Sequence, residues 1–164
     1  MQKNEDGSSD IRAMFSGFVN IDREYIDESF AEVENIIGGK ALVPCKRVNI
    51  HGDIFDVDSD VSYIGPACVY LVYDFYAEEA ARGVYHFGNT APFKVWENGK
   101  LICENHDHCT WTPFNINAPA NINYGENRLV FKLTRQDSFR FSFAIRNALD
   151  NARYFHRTES ILKG

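Results

Sequence analysis

The stretch Phe93 to Glu104, FKVWENGKLICE, decides the fold. Two apolar runs are separated by Asn98-Gly99. Asn-Gly is the strongest short-range hairpin signal, because both turn positions need φ > 0 and these residues tolerate it best. With this turn, Glu97 is expected to face Lys100, Trp96 to face Leu101, Val95 to face Ile102 and Phe93 to face Glu104. Facing residues share one side of a sheet. Phe93, Val95 and Ile102 then form an apolar side, with Glu97 and Lys100 as an opposite-charge pair near the tip. Trp96 and Leu101 share the other side with Lys94 and Cys103. Trp96 is expected to be core, covered by the helix or by the N-terminal segment.

Working outward, 164 residues suffice for one domain with a substantial core. Aromatics make up 14% of the chain, and Phe and Tyr supply most of them. That enrichment favours strands. The formal charge of −6 argues against nucleic acid and anionic membranes, which need a basic face. No apolar run approaches the ~20 residues of a membrane span. The opening MQKNEDGSSD is polar, lacks the apolar centre of a signal peptide, and predicts a disordered lead-in over residues 1–10.

Ile11 to Ile21 reads as an opening strand centred on Met14 to Val19. Asp22 to Ile37 carries Ile26, Phe30, Val33 and Ile37 at helical spacing, ending at Gly38-Gly39, and predicts one short helix. From residue 40 the period becomes that of strands. Ala41–Ile50 and Ile54–Asp58 read as strands. Ala67 to Ala77 alternates, with Ala67, Val69, Leu71, Tyr73 and Phe75 on one side. Gly83–Gly88 is a further strand. Thr112 to Ile122 is interrupted by Pro113 and Pro119 and is expected at an edge or bulged. Arg128 to Leu133 points Leu129, Phe131 and Leu133 inward. Phe139 to Ile145 points Phe139, Phe141, Phe143 and Ile145 inward. Short strands punctuated by turns predict an all-β, antiparallel β-sandwich over residues 11–147, followed by a polar tail over 148–164.

Three segments carry a family resemblance: Val95, Trp96, Asn98 and Gly99; then Gly125, Asn127, Leu129 and Lys132; then the aromatic strand Phe139 to Ile145. Together they resemble the galactose-binding-like jelly-roll modules appended to bacterial glycoside hydrolases and related enzymes. The resemblance covers residues 67–146. It implies a jelly-roll sandwich and an accessory role beside a catalytic domain. Such modules often carry an acidic turn where this chain has GNTAPF, Gly88 to Phe93. The loss of both carboxylates removes the ligand or cation contacts that turn would make.

The loop Asn105 to Trp111, NHDHCTW, holds the candidate site. An exposed Trp111 offers a flat face on which a sugar ring stacks, and His106, His108 and Asn115 supply polar partners. His106, His108 and Cys109 are soft-metal ligand types, but no second cluster closes a tetrahedral site, so no metal is expected. Asp53, Asp56, Asp58 and Asp60 begin like a calcium loop. An EF-hand would need Gly and Glu where Val61 and Ala67 stand, so a solvated strand face is expected. The four cysteines have no C-x-x-C spacing; Cys103 and Cys109 flank a short loop and could bridge in an oxidising compartment, but free thiols are expected for all four. No nucleophile elbow or phosphate loop is present, so no catalytic residues and no cofactor are expected. The expected function is a non-catalytic, carbohydrate-binding accessory module of a larger enzyme. The alternative is a structural domain that packs on a neighbouring domain or dimerises, through Tyr70, Tyr76, Tyr154 and Phe155.

Overall fold

The computed structural model describes residues 8–16, 19–31, 46–49, 54–56, 65–107, 112–135 and 142–149. Ten strands lie among the described residues: β1 (Ser8–Ser16), β2 (Lys46–Asn49), β3 (Ile54–Asp56), β4 (Ala67–Ala77), β5 (Ala81–Asn89), β6 (Phe93–Glu97), β7 (Lys100–Asn105), β8 (Thr112–Ile122), β9 (Gly125–Arg135) and β10 (Ser142–Leu149). They form a six-stranded sheet, β2-β1-β4-β9-β6-β7, and a four-stranded sheet, β3-β10-β5-β8. Every pairing is antiparallel. No helix occurs among the described residues. The opening strand starts at Ser8, earlier than its apolar centre suggested.

One core joins the two sheets. The larger sheet contributes Ala67, Val69, Leu71, Tyr73 and Phe75 from β4, Phe93 and Val95 from β6, and Leu129, Phe131 and Leu133 from β9. The smaller sheet contributes Tyr85 and Phe87 from β5 and Ala118, Ala120 and Ile122 from β8. These rows on β4 and β9 are the ones their alternation predicts. Each fully buried large side chain contributes about 1.5–3 kcal/mol. β8 lies at the edge of its sheet, where Pro119 and Pro113 leave no central ladder bond unmade. Of the row expected on Phe139 to Ile145, Phe139 and Phe141 lie outside the described residues.

The hairpin turns at Asn98-Gly99, with φ of +49° and +84°. Its register follows expectation only at the tip. Glu97 pairs with Lys100 and Trp96 with Leu101, but Val95 pairs with Cys103, Lys94 with Glu104 and Phe93 with Asn105. A bulge at Ile102 takes up the extra residue, and both Ile102 and Cys103 pack against the shared core. Glu97 also departs from the expected surface charge pair. It still faces Lys100 across the hairpin but is buried, because it shares the inward face of Phe93 and Val95. Its carboxylate accepts from the Tyr85 hydroxyl at 2.7 Å and from the Asn121 N–H at 2.9 Å, tying one sheet to the other.

The outer face of the larger sheet is also buried. Residues 19–31 form a strap across it, and Phe15, Val19, Tyr25, Ile26, Cys68, Tyr70, Val72, Trp96 and Val130 make a second core beneath. Trp96 is therefore core, as expected. Tyr70, expected on a contact surface, is completely buried here. The helix expected over 22–37 is not formed at 22–31, which run as turns and bends; the remainder lies outside the described residues. The cause is competition for the carbonyls. Lys132 Nζ donates to the Arg23 carbonyl at 2.6 Å, and Arg128 Nη1 donates to the Phe30 carbonyl at 2.8 Å. Ala31 closes the segment at φ +53°. Ile26 is buried while Phe30 is 46% exposed, so these two positions of the helical spacing share no buried face.

Candidate functional site

Of the four residues expected to bind ligand, the structure describes one with its side chain. His106 follows β7 and is exposed. His108 and Trp111 lie outside the described residues. Asn115 sits in the edge strand β8, and its side chain is not among those described. The four are therefore not shown together.

Around His106 stand three residues that sequence reasoning did not place there. His106 Nε2 lies 2.8 Å from Asp22 Oδ1. Lys94 Nζ lies 3.0 Å from the same oxygen and 3.6 Å from Glu104 Oε2. The His106 hydrogen bond, then that of Lys94, holds the Asp22 carboxyl below the usual carboxylate range. Lys94 and Glu104 are direct cross-strand partners only because of the Ile102 bulge. Asp22 arrives on the strap.

Asp22, Glu104 and His106 offer two oxygens and one nitrogen within 4.8 Å of one another. That donor set suits a transition-metal ion. The Lys94 ammonium, however, already supplies a positive charge between the two carboxylates, and it would repel a divalent cation. The cluster is best read as a latch that pins the strap to the hairpin.

The buried ionisable groups have structural duties. Asp74 accepts from Arg128 Nε and Nη2 at 2.6 and 2.9 Å in a bidentate pair. Lys132 pairs with Glu28, which also accepts from the Tyr70 hydroxyl at 2.5 Å. Burial raises the Glu97 carboxyl above the usual range, against the pull of Tyr85 and Asn121. A raised carboxyl marks a candidate acid, but Glu97 is 5% exposed and both its oxygens are engaged. Cys68 and Cys103 are free thiols, pushed by burial to about 12 and about 11. Neither has the thiolate character of a nucleophile. Cys45, Cys109 and three of the four aspartates of the acidic run lie outside the described residues, and for Asp56 only the strand position is described.

No protein-family model matches the chain, and no curated protein matches it in sequence. Solved structures do match. The β-glucosidase from Kluyveromyces marxianus in complex with glucose is 10% identical over 91% of this chain, with a TM-score of 0.54. Its selenomethionine form gives 0.56. The GH31 α-xylosidase from Xanthomonas citri is 12% identical over 89% of this chain, with a TM-score of 0.50. The likeness is one of fold, and the chain spans only 17% and 14% of those glycoside hydrolases.

Proposed function

We propose that this chain is a non-catalytic accessory module of a larger carbohydrate-active enzyme, built as an antiparallel β-sandwich of jelly-roll type, and that it binds carbohydrate. One observation carries the reading: nearly the whole chain, 91%, corresponds to a 17% share of a glycosidase. A unit of that proportion is a domain beside a catalytic body. The duties of the buried charges support the non-catalytic part. Glu97 joins sheet to sheet, Glu28, Arg128 and Lys132 join strap to sheet, and Asp74 holds Arg128 from the neighbouring strand.

The ligand contacts in this reading are Trp111 as a platform, with His106, His108 and Asn115 as polar partners. The partner domain is the catalytic body of the same polypeptide. The test is a glycan array followed by calorimetry on the isolated chain, with Trp111→Ala beside the wild type. Retention of a glycan, weakened about ten-fold by the substitution, is expected. An array with no retained glycan removes the carbohydrate part. Turnover of an aryl glycoside by the isolated chain removes the non-catalytic part.

A further inference from the structure

The other end of the strands carries a fixed and exposed aromatic ring. β8 and β9 are joined by Asn123-Tyr124, and Tyr124 is 68% exposed, more than any other large hydrophobic side chain described. The turn beneath it is fixed. Asn127, buried, accepts from the Asn123 N–H at 2.9 Å and donates to the carbonyls of Asn123 and Gly125 at 2.8 and 3.0 Å. The ring itself is held from one side. The Tyr76 hydroxyl donates to the Tyr124 hydroxyl at 3.2 Å, and the rings meet edge-on, 6.0 Å apart at 69°. A buried amide and a second tyrosine thus hold an aromatic ring in water.

Acceptors stand beside it. Glu126 is the cross-strand partner of Tyr76. Its charge and that of Glu78 help to raise the Tyr76 phenol, after the hydrogen bond to Tyr124 and desolvation. The amide of Asn123 is exposed at the same turn.

We propose that this turn is a carbohydrate-stacking site, in which Tyr124 takes the C–H face of a pyranose ring while Asn123, Glu126 and Glu78 engage its hydroxyls. This rests on the carbohydrate-binding reading and adds a second contact, about 25–30 Å along β9 from the His106 end. A ring fixed before binding loses little conformational freedom when ligand arrives. The surroundings favour a small polyhydroxylated ligand over a protein. A stable protein interface needs about 800 Å² on each side with an apolar centre poor in charge. Here one ring face is bordered by carboxylates and an amide.

The experiment is calorimetric titration of the isolated chain with cello-, xylo- and laminari-oligosaccharides, after array screening for others. The variants are Tyr124→Ala, Tyr124→Phe and Trp111→Ala. Tyr124→Ala is expected to weaken binding about ten-fold, and Tyr124→Phe by less than about three-fold, since the ring face remains. Unfolding temperature is read in parallel and should not change, because the side chain is exposed. Equal affinity in Tyr124→Ala, with loss in Trp111→Ala, overturns this site and leaves the accessory reading standing. Equal loss in Tyr124→Phe and Tyr124→Ala overturns stacking. Saturable binding of tetramethylammonium at this turn, with no sugar competing, overturns the ligand class. A wild-type chain that binds no glycan overturns both this site and the carbohydrate reading.

Discussion

Asn98 and Asn127 hydrogen-bond to each other, Nδ2 of the first to Oδ1 of the second at 2.9 Å. They belong to two turns 29 residues apart in the chain. Asn98 also binds the Arg128 backbone twice, donating its N–H at 2.8 Å and accepting at Oδ1 at 2.9 Å. The Asn-Gly hairpin and the Gly-x-Asn turn are thus one structure. The first sets the register of β6 on β7, and the second sets the start of β9 beside it.

Removing the shared amide should loosen both turns. Asn127→Ala leaves two carbonyls, an N–H and the Asn98 amide without the buried side chain that joins them. A loss of roughly 2–3 kcal/mol is expected in urea unfolding. Asn127→Asp keeps an acceptor but turns a carboxylate oxygen towards the carbonyls of Asn123 and Gly125, so at neutral pH it should cost at least as much as Ala. Equal stability of all three proteins would show that water replaces the amide freely.

Gly99 is constrained twice. Its φ is +84°, and a Cβ placed there would lie 2.4 Å from the Phe30 ring. Gly99→Ala should therefore both strain the hairpin and push Phe30 off its seat. Destabilisation of roughly 1–2 kcal/mol is expected. The diagnostic is the pairing with Phe30→Ala, which clears the space. The double variant should recover the steric part and keep the backbone part, so the two losses should be non-additive. Strict additivity would place Phe30 elsewhere in solution.

The hairpin, the inward rows of β4 and β9 and the edge position of β8 were legible because each leaves a local mark: a turn dipeptide, a period of two, a proline. Trp96 was legible as core because its neighbours were apolar. The Ile102 bulge left no such mark, since one extra residue in an apolar run reads as more of the same run. Glu97 read as a surface charge because its partners, Tyr85 and Asn121, come from the other sheet. The strap read as a helix because spacing records apolar positions and not the carbonyls that Arg128 and Lys132 claim. The His106 cluster was half legible: the histidine was singled out, but Asp22 joins it from 84 residues away.

Glu97 should give stability an unusual pH dependence. Its carboxyl is raised in the folded chain by burial. Below the ordinary carboxylate value both folded and unfolded states hold the proton, and it contributes no slope. Between the ordinary value and the raised one, only the folded state holds it. Stability then falls as pH rises through that window, and stays lower above it. Glu97→Gln never ionises, so its unfolding temperature should gain on the wild type as pH goes from about 4 to about 8. Asp22 acts in the opposite sense, being lowered by His106 and Lys94, but its exposure to solvent limits the effect. Parallel curves for wild type and Glu97→Gln would mean that the carboxylate is ionised in both states across the range.

Lys132 and Glu28 hold the strap at its middle. Lys132 is completely buried, bonded to Glu28 and to the Arg23 carbonyl, with its ammonium 5.5 Å from the Tyr25 ring and 5.7 Å from that of Tyr70. Lys132→Met strands the Glu28 carboxylate beside an apolar cluster, and Glu28→Leu strands the ammonium. Each single change should cost about 3–5 kcal/mol. The double variant leaves no buried charge and should lie well above either single variant, because a buried pair is often replaced by apolar residues at little cost. Hydrogen exchange separates the strap from the sheet. In the single variants the amides of 19–31 should exchange faster than the loss of global stability alone requires, while those of β4 and β9 speed up only by that loss. If the double variant is no more stable than the worse single one, the pair is not coupled, and the strap is held instead by Arg128 and by the second core beneath it.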